Sequence, residues 1–259
     1  MLRYTISMLI CVVGIMGHPH PAPGITSGER IVNGTNASPG QYPFMASLRY
    51  WKNHVCGASI INECYVLTAS HCVIWKLPEE LSVRVGSVDL SSGGSLHDVS
   101  EIIMHSEYDP DNMHVHDIAL LKLSSPITLN KYAQPVVLPH QLQDTKGGSA
   151  ATLVGWGSSE TDGEVMEHLQ QVRLRVYTDE ACRSLHYYRI HMSNICAGIP
   201  EGGKGQCGGD SGGPLVAHGH QVGIVSWSVK PCTVAPYPGV YTEVSYYADW
   251  IKHHTSGSC

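Results

Sequence analysis

The sequence predicts an all-β protein, built as a sandwich or barrel and ended by one α-helix. Two observations carry this. Short runs of alternating or β-branched residues recur along the chain, separated by turn formers, with no intervening helical pattern of the kind that connects parallel strands. The last segment, VSYYADWIKHHT, instead spaces Val244, Tyr247, Trp250 and Ile251 three or four apart, as one face of a helix does.

Taken in order, residues 1–17 read as a secretory signal peptide. MLRY gives a positive head, and ISMLICVVGIMG is an apolar run too short to span a bilayer comfortably. Residues 18–30, HPHPAPGITSGER, are rich in Pro and Gly, lack apolar periodicity and read as a flexible propeptide. At Arg30-Ile31 the composition changes, and the body begins with IVNGTNASPGQYPFMASLRY. The runs HVCGASII, CYVLTAS, LSVRVGSV, DIALLKL, AATLVGWG, QVRLRVY, PLVAHGHQVGIVSWS and GVYTEV follow as strands. Turn chemistry at Lys146-Gly147-Gly148 marks a division between two lobes, about 31–145 and about 146–242, with the helix over about 244–254. No later segment is a transmembrane candidate.

Composition narrows the function. The balance of 16 Lys and Arg against 22 Asp and Glu leaves few basic patches and argues against a nucleic-acid partner. Export makes the cysteines informative. Cys11 leaves with the signal, and an even set of eight remains, which in an exported chain implies disulfides. Counting alone leaves their connectivity open. The absence of a CxxC pair weighs against a zinc site. Two sequons, Asn33-Gly34-Thr35 and Asn36-Ala37-Ser38, allow glycosylation at Asn33 or Asn36; both asparagines also suit turns.

Chemistry concentrates in three places. Ser211 lies in GDSGGP, a glycine density with little use in ordinary packing. A serine hydroxyl needs a base to attack, the base needs a group that fixes its tautomer, and the oxyanion needs donors. His71 in VLTASHC, Asp117 in HDIALLKL and the amides of Gly209 and Ser211 can fill those roles. Singly, His71 reads as a structural histidine beside a cysteine and Asp117 as a turn cap.

Together, IVNG, TASHC, HDIAL, Gly155-Trp156-Gly157 and GDSGGP occur in the order of the trypsin/chymotrypsin family of serine proteases. The chain resembles that family from Ile31 to about Thr255, and the order His71, Asp117, Ser211 is the family's own; the chemistry is the standard worked template for this triad. The resemblance implies two six-stranded antiparallel β-barrels with the site in the cleft between them. It implies that His71 moves the Ser211 proton, that Asp117 orients His71, and that an acyl-enzyme forms and is hydrolysed. It also implies that cleavage at Arg30-Ile31 by a trypsin-like protease frees an Ile31 amine to pair with Asp210.

By the same resemblance the disulfides are Cys56–Cys72, Cys182–Cys196 and Cys207–Cys232. Cys64 and Cys259 are then left over, and a Cys64–Cys259 staple of the tail is the expected pairing. The primary pocket falls on Gly205, Gln206, Gly208, Ser226, Trp227, Ser228 and Gly239. Gly205 at the base supplies no carboxylate, so preference for Lys or Arg is not expected, and an uncharged, open pocket favours aromatic or large aliphatic side chains. Gln206 is the residue able to shorten it towards an elastase-like preference or to accept a polar side chain, and a broad-specificity protease is the other alternative.

No cofactor is implied. His114, His116 and Asp117 have a spacing that suits metal ligands, but Asp117 is committed to His71, and the Ser87-Val88-Asp89-Leu90 stretch is short for a calcium loop, so no metal is expected. The expected partners are protein or peptide substrates, an activating protease and protein inhibitors, for a secreted monomer suited to digestion. The rival from another class is an inactive binding protein on the same scaffold.

Overall fold

The computed structural model describes residues 31–257, apart from Tyr188. The expected signal peptide and propeptide, Arg30 and Cys259 lie outside the described residues, and so does the second half of the Cys64–Cys259 pairing.

Two closed six-stranded antiparallel barrels make up the body. The first consists of β2 (Met45–Tyr50), β3 (Asn53–Ile60), β4 (Tyr65–Thr68), β5 (Leu81–Val85), β6 (Ser95–Met104) and β7 (Ala119–Leu123). They close in the order β2-β3-β4-β7-β6-β5, with β2 pairing β5. The second consists of β8 (Ala150–Gly155), β9 (Gln170–Val176), β10 (Asn194–Gly198), β11 (Pro214–Ala217), β12 (His220–Trp227) and β13 (Gly239–Glu243), and it closes where β8 meets β9. Closure removes the exposed strand edges that an open sheet of this kind must otherwise protect.

Alternation sets the inward faces. Leu81, Val83 and Val85 of β5 are buried while Ser82 and Arg84 are not, and Val172, Leu174 and Val176 of β9 repeat the pattern. The expected strands are found. To them the fold adds a short β1 (Thr35–Asn36), β2, β6, β10 and α1 (Asp179–Leu185), whose Thr178 caps the helix by accepting from the Ala181 amide.

Both ends of the described segment cross over. The segment at Ile31 does not join the first barrel: Ile31 is fully buried in the second barrel's core, and β1 (Thr35–Asn36) pairs with β9. The end of the chain does the reverse. A 3-10 turn over Val244–Tyr247 leads into α2 (Ala248–His254), and Val244, Tyr247 and Ile251 pack into the core of the first barrel. Each barrel's core is completed by residues distant in sequence, so neither lobe is a contiguous unit.

Between the barrels, Trp156 packs with Met45, Val154 and Leu169, and its indole N–H donates to the Val88 carbonyl at 2.9 Å. The barrels approach closely at Gly57, whose amide donates to the Ser211 carbonyl at 2.7 Å. A Cβ on Gly57 would stand 2.7 Å from the Gly213 Cα, so this approach requires glycine.

Candidate active site

Each residue of the site is delivered by an element end. His71 sits in a 3-10 turn just after β4, tied by the Cys56–Cys72 disulfide to β3. Asp117 stands just before β7. Ser211 lies in the loop before β11, and Ser226 lies in β12. The barrels thus contribute from both sides of one cleft.

Asp117 is the centre of this arrangement. Its carboxylate is fully buried and accepts three hydrogen bonds from two residues. Oδ1 accepts the His71 amide at 2.9 Å, and Oδ2 pairs with His71 Nδ1 at 2.7 Å and accepts the Ser226 hydroxyl at 2.6 Å. The Thr242 hydroxyl donates to the Asp117 carbonyl at 2.8 Å. Burial pushes the carboxyl up, but the charge and hydrogen bonds of His71 and the bond from Ser226 more than offset it, and Asp117 ionises below the usual range. A buried carboxylate so held fixes the imidazole with a proton on Nδ1 and leaves Nε2 as the basic atom. Nε2 stands 3.7 Å from Cys72 Sγ, and the Ser211 hydroxyl makes no hydrogen bond among the described residues.

The loop around Ser211 has the geometry of a donor pocket. The Asp210, Gly212 and Gly213 amides are all engaged, donating to the Cys207, Val225 and Asp210 carbonyls. Those of Gly209 and Ser211 donate to no group among the described residues. Gly209 has φ of 92°, and a Cβ there would fall 2.6 Å from Val165 Cγ1, so glycine is demanded twice over. Its carbonyl is turned away and held by His54 Nε2 at 3.0 Å, while Ser47 shares the other ring nitrogen at 2.9 Å. Burial pulls His54 down to about 4, so it is a neutral donor there.

Asp210 is the second fully buried carboxylate. It accepts the Gly157 amide at 2.8 Å and the Cys207 amide at 3.0 Å, with no cationic partner among the described residues. Burial pushes it up to about 7, more than the two amides pull it down. Room for it is made by two glycines: a Cβ on Gly155 or Gly157 would fall 2.2 or 2.1 Å from its oxygens. The chain entering at Ile31 is fixed nearby, because Val32 forms a bridge with Gly205 in the loop that leads to Asp210.

The pocket departs from the open, glycine-based one expected. Gly208, Ser226, Trp227, Ser228 and Gln206 line a cleft of about 220 Å³ that contains Ser211 and Lys230. Gly205 and Gly239 do not line it. They face a separate cavity of about 10 Å³, also bounded by Gln206 and Ser228. Gln206 divides the two. Its Nε2 donates to the Trp227 carbonyl at 2.7 Å, and its Oε1 lies where a Cβ on Gly239 would be only 2.7 Å away. That Oε1 is buried without a hydrogen-bond partner. The glycines at 205 and 239 leave space, and the glutamine occupies it.

The disulfides Cys56–Cys72, Cys182–Cys196 and Cys207–Cys232 are all present. Asn33 and Asn36 are both exposed. Asn33 has φ of 58°, and its Nδ2, the atom a glycan would modify, already donates to the Gly203 carbonyl at 2.6 Å. Asn36 uses only its Oδ1, on Gln170. The sequence reading missed the roles of Ser226, Thr242 and His54; only the strand register, which brings β3 and β12 against the two loops, reveals them. Among the described residues no helix is long and apolar enough to cross a membrane.

Comparison with known proteins agrees with this geometry. The family model described as "Trypsin" matches residues 31–251. Trypsin-1 of Astacus astacus is 43% identical over 237 residues, covering 86% of this chain and 98% of that protein. Chymotrypsin-2 of Vespa crabro is 39% identical over 222 residues, with coverage of 86% and 98%. Trypsin of Phaedon cochleariae is 36% identical over 260 residues, covering 98% of this chain and 99% of that protein. Two closed barrels, a buried aspartate on His71 and near full-length similarity to these proteins lead to one conclusion: the chain belongs to the trypsin family of serine proteases.

Proposed function

We propose that the chain is a secreted endopeptidase that cleaves peptide bonds through Ser211, His71 and Asp117. The observation that carries the reading is the Asp117 carboxylate, fully buried and shared by His71 and Ser226 beside the cleft that holds Ser211. Asp117 holds the neutral His71 ring in the tautomer with its proton on Nδ1, which leaves Nε2 as the acceptor. Nε2 takes the Ser211 proton as the hydroxyl attacks the scissile carbonyl, and the resulting imidazolium is stabilised by Asp117. The Gly209 and Ser211 amides receive the oxyanion. Collapse of the tetrahedral intermediate gives the acyl-enzyme as His71 returns the proton to the leaving amine, and water completes the reaction by the same route. The His71–Ser211 contact tightens when substrate fills the cleft, as such contacts do.

Cleavage at Arg30-Ile31 by a trypsin-like protease is the activating step. Asp210 is a buried carboxylate held by amides alone, and such a charge is costly until a cation joins it. A free Ile31 ammonium is such a cation, and pairing fixes the loop that carries Gly209 and Ser211. The preferred substrate side chain is apolar and of intermediate length, such as leucine or methionine, because Gln206 ends the cleft before Gly205 and Gly239. A second reading rests on the buried, unpartnered Gln206 Oε1, which favours a side chain that reaches it with a donor, tyrosine foremost. The relatives' names include both trypsin and chymotrypsin, and the missing carboxylate at Gly205 favours the latter type. A digestive role in bulk protein hydrolysis is part of the same proposal.

The test uses the chain before and after cleavage at Arg30. A serine-directed phosphonate should label only the cleaved protein, and Ser211→Ala should abolish labelling. On a matched amide panel, cleavage after Leu, Met, Tyr or Phe should exceed cleavage after Arg or Lys. Fastest hydrolysis after a basic residue, or labelling that survives Ser211→Ala, overturns the proposal.

A further inference from the structure

The loop between β6 and β7 carries a second group of chemistry-bearing side chains that the proposed reaction does not use. His105 follows β6 directly, and its amide donates to the Ile118 carbonyl at 3.1 Å, extending the β6–β7 ladder by one step. His116 stands across the same neck, next to Asp117. Their rings stack at 4.7 Å with an interplanar angle of 12°. Glu107 Oε2 lies 3.8 Å from His116 Nε2, and one ligand atom from each of His105, Glu107 and His116 lies within 4.8 Å of the others.

We propose that His105, Glu107 and His116 form a binding site for one divalent transition-metal ion of the zinc class. Two imidazoles and a carboxylate are a donor set suited to zinc, and a fourth position is left for water. Ligands about 2.1 Å from a tetrahedral ion stand roughly 3.4 Å apart, so the observed spacing needs only a small closure. Glu107, whose side chain is 73% exposed, supplies its share by moving in from 3.8 Å. The imidazoles are held in place by groups behind them. Tyr247 hydroxyl meets His116 Nδ1 at 2.7 Å, which directs Nε2 to the ion, and Trp250 packs at 5.5 Å from the His105 ring.

A different trio, His71, His114 and Asp117, also meets the distance requirement. There Asp117 is fully buried and spent on His71 and Ser226, so an ion must break existing bonds. At His105, Glu107 and His116 the carboxylate is instead exposed and lies outside the Asp117 network. The sequence expectation of no metal weighed His114, His116 and Asp117; the neck of the loop selects a different set. An ion there pins the loop that presents His114 and Asp117 to His71.

The experiment is isothermal titration of zinc chloride into the chelator-treated full-length chain, paired with thermal unfolding. One zinc per chain should bind and raise Tm. Affinity should weaken at least about ten-fold in His105→Ala and in Glu107→Gln, and stay unchanged in His114→Ala. Glu107→Gln alters an exposed side chain, so misfolding does not account for its loss, and near-ultraviolet circular dichroism checks the others. No binding up to about millimolar zinc overturns the proposal, as does binding that Glu107→Gln and His105→Ala leave intact. Loss in His114→Ala overturns it too, placing the ion on His71.

Discussion

Truncating Gln206 should deepen the substrate pocket and change which side chain it accepts. In Gln206→Gly the divider between the 220 Å³ cleft and the 10 Å³ cavity is removed, and Gly205 and Gly239 become the floor. Two energies follow. Loss of the 2.7 Å bond to the Trp227 carbonyl costs about 1 kcal/mol, but it is common to every substrate and cancels in a ratio. The gained depth does not cancel: each methylene-sized increment of pocket is worth about 1–3 kcal/mol to a side chain that fills it. The ratio of kcat/KM for Phe to that for Leu at the cleaved position should therefore rise roughly 10- to 200-fold. The assay is steady-state hydrolysis of a matched Ala, Leu, Met, Phe and Tyr panel by the cleaved enzyme, with phosphonate titration to count active sites. A Phe-to-Leu ratio that stays within two- to three-fold, with titration intact, refutes the reasoning that Gln206 sets the depth. A fall in the Tyr-to-Phe ratio of the variant would separately reveal the Oε1 contact of the second reading.

Three further outcomes test the site. Ser226→Ala removes the 2.6 Å donor to a buried carboxylate, a loss of about 1–3 kcal/mol, so kcat should fall roughly 5- to 150-fold with little change in KM; unchanged kcat would mean that His71 alone holds Asp117. Gly157→Ala puts a Cβ 2.1 Å from Asp210 Oδ2, so urea unfolding should show a loss of about 1–3 kcal/mol and phosphonate labelling should drop with it. Stability should respond to pH in two opposed ways. His54 is lowered to about 4 from 6.5, so the native state resists protonation and loses about 3 kcal/mol as pH falls from 6.5 to 4. Asp210 is raised to about 7, so the uncleaved chain loses about 4 kcal/mol as pH rises from 4 to 7, and cleavage at Arg30 should abolish that loss by supplying the Ile31 ammonium. Chemical unfolding at pH 4, 5.5 and 7.5, before and after cleavage, reads both.

What the sequence discloses here is set by how local the physics is. GDSGGP is legible because a positive φ at Gly209 and close approaches at Gly212 and Gly213 leave their demand in the letters themselves. Alternation in LSVRV and QVRLRV is legible for the same reason. The register of β12 against the loop before β7 is not local, so nothing in SWS tells that Ser226 belongs to Asp117 while Ser228 belongs to the cleft wall. The crossing of Ile31 and α2 to opposite barrels is likewise a property of closure, not of any segment. Gln206 is the instructive case. Read beside Gly205 it implies a small, uncharged floor, yet a glutamine has several staggered choices, and the one adopted depends on a carbonyl twenty-one positions away and on the missing Cβ of Gly239. Glycine at 239 therefore does not open the pocket; it is what permits Gln206 to close it. On the proposed function, specificity follows from that pair acting together, and a bulkier residue at 239 should drive Gln206 out of the pocket rather than simply narrow it.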